Sequence, residues 1–202
     1  MPKPELLSPA GSFDALIAAV QSGADAVYLG AGAFNARAYA KNFTADELSR
    51  AVEYCHARGV AVHVTMNILL LDRELETALN TAKDLYRMGV DALIVQDVGL
   101  ISLLRRELPD LPLHASTQMA VHDENGVKAV QKLGMARAVL AREVSMEGIR
   151  RIRKATDFPL EVFVGGAMCS SVSGLCLHSS LIGGRSGNRG ACAQPCRMKY
   201  KL

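Results

Sequence analysis

The chain contains no tryptophan, and its aromatic complement is five phenylalanines and five tyrosines in 202 residues. That scarcity argues against a broad aromatic platform on which successive unpaired bases stack. Long hydrophobic runs are also missing: none approaches the roughly 18 residues of a membrane-spanning helix. The N-terminal MPKPELLSPAG lacks the apolar core of a secretory signal. The expectation is a cytoplasmic protein without a membrane partner. Charge is nearly balanced, with 23 Lys and Arg against 20 Asp and Glu. A net charge of +3 neither demands nor excludes a nucleic-acid partner. Cysteine is almost absent from the first 160 residues, where only Cys55 occurs, within VEYCHARG. That context reads as a helix and Cys55 as a small buried hydrophobe. What remains is ordinary for a globular core: half the residues are apolar and 21% are charged. The length suits one domain or part of a larger one.

Short β-rich segments recur along the chain: ELLSPAG (5–11), AVYLGA (26–31), VAVHVTMN (60–67), DALIVQD (91–97), PLHASTQM (112–119), RAVLARE (137–143) and PLEVFVGG (159–166). Between them lie stretches of helical periodicity. SFDALIAAVQSG places Leu16, Ala19 and Val20 on one stripe and stops at Gly23. TADELSRAVEYCHARG opens with Thr44 and carries Glu47 three residues on, the signature of a capping box. Gly59, Gly89 and Gly134 stand where left-handed helix C-caps are expected, and Ser145 opens another helix. Seven strands alternating with six helices imply parallel β/α crossovers. No GxGxxG follows the first strand, and polar residues gather at strand ends, so a TIM-type (β/α) barrel fits better than a doubly wound sheet. An eighth unit is missing. The predicted organisation is about seven β/α units over 1–164, an incomplete barrel, and a Cys/Gly-rich segment over 165–202. The closing RMKYKL reads as the start of a further strand, as though the chain stops before the barrel closes.

In such a barrel, chemistry sits at the C-terminal ends of the strands. The residues there are Asn67, Gln96 with Asp97, Ser116 with Thr117 and Gln118, and Arg142 with Glu143; Glu161 lies within the last strand. Asn67, Gln96, Ser116, Gln118, Arg142 and Glu143 are the candidates for substrate contact. The competing reading is that these groups cap helices and satisfy loop backbone. It is the stronger reading for Asp97, which directly precedes VGLISLLRREL. Arg142 and Glu143 also read as a simple ion pair. His63 and His114 fall inside strands and read as satisfied core or rim residues. The loop GAGAFNARAYAKNF (30–43) offers Asn35, Arg37 and Asn42. Arg37 is a candidate to grip an anionic group, and the loop is equally a snug lid.

The remaining four cysteines, Cys169, Cys176, Cys192 and Cys196, follow the spacing C-x6-C-x15-C-x3-C. In a reducing compartment, clustered thiols are metal ligands or redox groups more often than disulfides. Structural zinc usually takes two tight pairs, and only the last pair here is tight. Iron–sulfur clusters tolerate irregular spacing. The spacing favours a cluster, with zinc, a redox pair or a nucleophilic thiol as alternatives. Gly183, Gly184, Gly187 and Gly190 let the segment wrap. Their N–H groups, with Arg185 and Arg189, are candidates to cradle a carboxylate or phosphate.

On these residues the chain resembles peptidase family U-32, the collagenase-like proteases. The resemblance rests on ELLSPAG (5–11), GAFNARAYAKNF (32–43), VTMNILL (64–70), ASTQM (115–119), LAREVS (140–145) and SLIGGRSGNRGACAQPCR (180–197). The family signature E-x-F-x-x-G-A-M-C-x4-G-x-C reads EVFVGGAMCSSVSGLC over 161–176. The chain departs from the family at Gly165, where histidine is common, at Val172, where an aromatic is frequent, and at His178. The resemblance implies a TIM-type barrel. It also implies one of two activities: peptidase action, as the family name says, or oxygen-independent hydroxylation of an RNA base or quinone precursor by an iron–sulfur protein. The RNA-modifying members use prephenate. Cys169, Cys176 and Cys192 would then hold a [4Fe–4S] cluster, with Cys196 or a further downstream cysteine as fourth ligand. Arg37 or Arg185 would meet anionic groups of the substrate. A third implied role is a non-catalytic, zinc- or cluster-stapled barrel that pairs with a related subunit.

Overall fold

The structure is a computed structural model that describes residues 3–36, 42–166 and 168–200. Seven parallel strands lie side by side in chain order: β1 (Leu7–Pro9), β2 (Ala26–Gly30), β3 (Ala61–Met66), β4 (Ala92–Val95), β5 (Leu113–Ala115), β6 (Arg137–Val139) and β7 (Leu160–Glu161). Six helices make the crossovers: α1 (Phe13–Gln21), α2 (Ala45–His56), α3 (Asp72–Arg87), α4 (Val98–Glu107), α5 (Glu124–Lys132) and α6 (Met146–Ala155). A strand order that equals the chain order, with a helix after each strand, is the topology of a TIM-type barrel. Here the sheet curls into a partial barrel: among the described residues, no pairing joins β1 to β7.

Local chemistry explains the helix boundaries. Thr44 and Glu47 form the predicted capping box, with the Thr44 hydroxyl accepting from Glu47 N and the Glu47 carboxylate accepting from Thr44 N. Asp97 caps α4 through Leu100 N at 2.9 Å, and Ser145 caps α6 through Gly148 N at 3.1 Å. Gly89 and Gly134, directly after α3 and α5 run out, take φ of +85° and +80°, a conformation costly for a residue with a Cβ.

The strands are shorter than their apolar runs. Beyond β5, Ser116 turns its hydroxyl onto Gln118 N and starts a 3₁₀ turn over Thr117–Met119. Of the further strand expected after Cys196, residues 201 and 202 lie outside the described residues. Arg197 ends a 3₁₀ turn, and Met198 to Tyr200 are irregular. The Tyr200 hydroxyl donates back to the Pro195 carbonyl at 2.9 Å.

Side chains alternate across the sheet. Val27, Leu29, Val62, Val64, Leu93, Val95 and Leu113 face the helices and form one buried core with Leu16, Leu48, Leu100, Leu104, Val127 and Ile152. The concave face is more polar. His63 and His114 are buried there and meet edge to face with centroids 4.8 Å apart. Arg137, at the start of β6, reaches across the unpaired side of the barrel. Its Nη1 and Nη2 donate to both carboxylate oxygens of Glu5 at 2.6 and 3.0 Å, and Nη1 also to Glu161 at 3.4 Å. The Arg137 hydrogen bonds hold the Glu5 carboxyl below its usual range. At Glu161 burial dominates and pushes the carboxyl up, against the single longer bond. One guanidinium thereby links β6, β7 and the residues entering β1 where no strand pairing does.

Candidate functional site

A cavity of about 1350 Å³ runs along the concave face and opens at the C-terminal ends of the strands. Its upper wall carries Thr65, Asn67, Gln118 and Arg142, together with all four clustered cysteines, Cys169, Cys176, Cys192 and Cys196. The strand-end polar residues form a connected row. The Asn67 carbonyl oxygen accepts from Ala36 N at 3.0 Å, and its amide donates to the Ser116 hydroxyl at 3.2 Å. Gln96 donates to the Gln118 carbonyl at 3.4 Å, while its own carbonyl oxygen is buried without a partner. Asn67, Gln118 and Arg142 therefore face the cavity, and Gln96 and Ser116 lie buried behind them. Asn35 is buried and donates to Asn42 at 3.1 Å, which closes the base of the loop after β2. Arg37 lies outside the described residues.

Residues 162–200 contain no strand; one short helix, α7 (His178–Gly183), and two 3₁₀ turns are their regular structure among the described residues. Two polar ties fix this segment over the mouth. Ser173, midway between Cys169 and Cys176, is fully buried. Its N–H donates to Glu143 Oε1 at 3.0 Å and its hydroxyl to Glu143 Oε2 at 2.8 Å. The same hydroxyl accepts from Arg142 N at 3.3 Å and Arg142 Nε at 3.2 Å. The adjacent arginine and glutamate thus converge on a serine of the cysteine loop. Burial pushes the Glu143 carboxyl up, but the Ser173 donors and nearby Arg142 hold it, on balance, below the usual range. Beside Ser173, Gly174 takes φ of +73°, and a Cβ there would overlap the Gln118 carbonyl.

The second tie lies at the other side of the mouth, on the loop after β3. Arg189 donates from Nη2 and Nη1 to the two Glu74 oxygens at 2.7 and 2.9 Å, and from Nη1 to the Leu69 carbonyl at 2.8 Å. Leu69 N answers by donating to the Asn188 carbonyl at 2.9 Å. With Leu71 N also on its carboxylate, Glu74 is held down at about 2. Arg189 is therefore committed to Glu74. Arg185 does not line the cavity; its Nε donates to the Ala191 carbonyl at 3.0 Å.

Within the segment, Arg197 donates to the Met168 carbonyl at 2.8 Å and joins the last cysteine's turn to the first cysteine's loop. Cys192 Sγ accepts from Gln194 N at 3.4 Å. All five cysteines are free; Cys55 is buried, and burial pushes its thiol up to about 11. Among the described residues, no three His, Cys, Asp or Glu side chains converge at the distances of a single-ion site. The four clustered thiols instead surround one cavity. Four thiols are a donor set that suits an iron–sulfur cluster or zinc. His178 lines the cavity beside Cys169 and Cys176, and among the described residues no histidine hydrogen-bonds a clustered thiol.

Sequence reasoning missed Ser173, Glu74 and the pairing of Arg137 with Glu5. Ser173 carried one usable signal, its place inside a cysteine loop. Glu74 looked like any acidic residue in the first turn of a helix.

The model of Peptidase family U32 matches residues 11–202. Among curated proteins, the chain is 46% identical over 200 residues to a 23S rRNA 5-hydroxycytidine synthase of Escherichia coli, covering 98% of this chain and 30% of that protein. It is 39% identical to a tRNA hydroxylation protein of the same organism, covering 99% of this chain and 44% of that protein. The chain thus spans less than half the length of these two relatives. Among solved structures, a U32 peptidase superposes with a TM-score of 0.68 at 19% identity, over 81% of this chain and 70% of that one. That likeness supports the barrel-type fold.

Proposed function

The chain belongs to peptidase family U32, and from that premise we propose that it serves the oxygen-independent hydroxylation of an RNA base through an iron–sulfur cluster. The observation that carries this reading is the gathering of four free thiols around one cavity, at the strand ends where barrel enzymes do their chemistry. The names of the two RNA-modifying relatives supply the substrate class. Cys169, Cys176 and Cys192 hold the cluster, with Cys196 as fourth ligand. Bound there, a [4Fe–4S] cluster would supply one-electron redox capacity.

The chain's own residues shape the space beside it. Asn67 and Gln118 present amide groups to the cavity, and Arg142 brings a cation. Gln96 and Ser116 hold that row in place from behind. Prephenate, the co-substrate implied by the family, is an anion that Arg142 would meet. The protein acts in the cytoplasm, where its RNA substrate is found.

Nucleoside mass spectrometry of RNA tests the reading. Cells lacking the gene should lose one hydroxylated nucleoside, which the wild-type gene restores and a Cys169→Ala gene does not. Identical nucleoside profiles with and without the gene would overturn it. Cleavage of denatured collagen that survives Cys169→Ala would point to the peptidase reading instead.

A further inference from the structure

The cysteine segment is held in an unusual way for a buried-core protein. Its large apolar side chains are largely unburied: Leu175, Leu177, Leu181 and Ile182 are exposed, and Met168 and Val172 are exposed along the cavity. Hydrophobic burial therefore does little to fix the thiols. What fixes them is polar, and it is concentrated at two carboxylates. Glu143, beyond β6, spends both oxygens on Ser173. Glu74, beyond β3, spends both oxygens on Arg189. Three strand positions separate β3 from β6 in the sheet order, so the two anchors stand on different sides of the mouth. Each holds a different part of the thiol set. Ser173 lies between Cys169 and Cys176, and Arg189 lies three residues before Cys192.

We propose that Glu143 and Glu74 are positioning residues for the thiols: Glu143 sets the arm bearing Cys169 and Cys176, and Glu74 sets the arm bearing Cys192. Each arm has its own anchor on the barrel, while Arg197 on the Met168 carbonyl and Ala193 N on the Ser179 hydroxyl tie the arms to each other, and metal is held fully only when both anchors are in place. This rests on the cluster reading for its metal consequence, but the docking itself is a property of the metal-free chain. Neither glutamate contacts a thiol, so neither is a catalytic residue.

Hydrogen exchange on the metal-free protein tests the docking, and iron retention tests its consequence. A hydrogen bond to a charged acceptor is worth about 1.5–3 kcal/mol. Losing the Glu143 tie should therefore speed exchange over residues 170–177 by roughly ten- to a hundredfold. In Glu143→Ala that acceleration should be greatest over 170–177 and at least severalfold smaller over 187–193, which keeps its own anchor on Glu74 and Leu69. Glu74→Ala should do the reverse. Glu143→Gln, which keeps one carbonyl acceptor for Ser173, should recover part of the protection, a graded response that general destabilisation would not give. After anaerobic reconstitution, each alanine variant should lose iron to a chelator at least tenfold faster than the wild type, with its melting temperature nearly unchanged. Two results would overturn the proposal: exchange at 170–177 unchanged in Glu143→Ala, or both arms loosening equally in either variant. If the arms loosen selectively but the wild-type protein takes up no iron, the cluster reading fails and the docking assignment stands.

Discussion

Replacing Gly174 with alanine isolates the fit between the cysteine loop and the barrel. The residue takes φ of +73°, and its missing side chain makes room for the backbone carbonyl of Gln118. An L-residue in the left-handed region costs about 1–2 kcal/mol. Forcing a methyl group against a fixed carbonyl adds about 1–3 kcal/mol, the usual range for overpacking. Alanine also restricts the unfolded chain, which returns about 0.4–1 kcal/mol. The net cost is about 1–4.6 kcal/mol, comparable with the Ser173 hydrogen bonds to Glu143 that dock the loop. The loop will therefore lift off before the barrel unfolds, because the hydrophobic core lies between sheet and helices and none of its residues comes from 165–200. The docked population should fall at least about fivefold, since 1.4 kcal/mol is a factor of ten. Hydrogen exchange over 170–177, read beside a thermal melt, measures both quantities. Fast exchange with a melting temperature within a degree or two of wild type is expected. Unchanged exchange in this variant would refute the reasoning.

Arg137→Met removes the guanidinium that links β6, β7 and the approach to β1 and leaves Glu161 partly buried without a partner; urea denaturation should show a loss of about 1.5–3 kcal/mol. Burial, and after it the neighbouring His63 and Arg137, lowers the His114 pKa to about 3. Its neutral form is thus favoured in the folded state, so its contribution is complete above the ordinary histidine value of about 6.5 and is lost as pH falls from there towards 3. His63 is shifted the same way, and urea midpoints at pH 7 and pH 5 should drop less in His114→Leu than in wild type. At Gly165 no heavy atom lies within 4 Å of where a Cβ would stand. Gly165→His, which restores the residue common in the family, should therefore leave the melting temperature unchanged; a fall of several degrees would show that the site is closed.

What the sequence disclosed was local. The alternation of apolar runs and helical stripes identified the barrel-type fold, and the caps at Thr44, Asp97 and Ser145 stand where their side chains predicted. Strand ends were overestimated wherever an apolar run continued into a turn, as at Ser116, because hydropathy does not register the change of backbone direction. The cysteine spacing identified the segment that surrounds the cavity, but not how it is held. Glu143 lies 30 residues from Ser173, and Glu74 lies 115 from Arg189. Pairings across such separations leave no periodic trace. Arg189 shows the difficulty well: glycine neighbours made it look like part of an anion cradle, whereas the fold brings a carboxylate of its own to meet it.

We have proposed that the four clustered thiols hold an iron–sulfur cluster. Anaerobic reconstitution followed by iron and acid-labile sulfide determination tests it most directly. Iron and sulfide should be bound in equal amounts per chain, with visible absorbance that disappears in Cys169→Ala and Cys176→Ala. A colourless wild-type protein carrying stoichiometric zinc, or no metal at all, would contradict it.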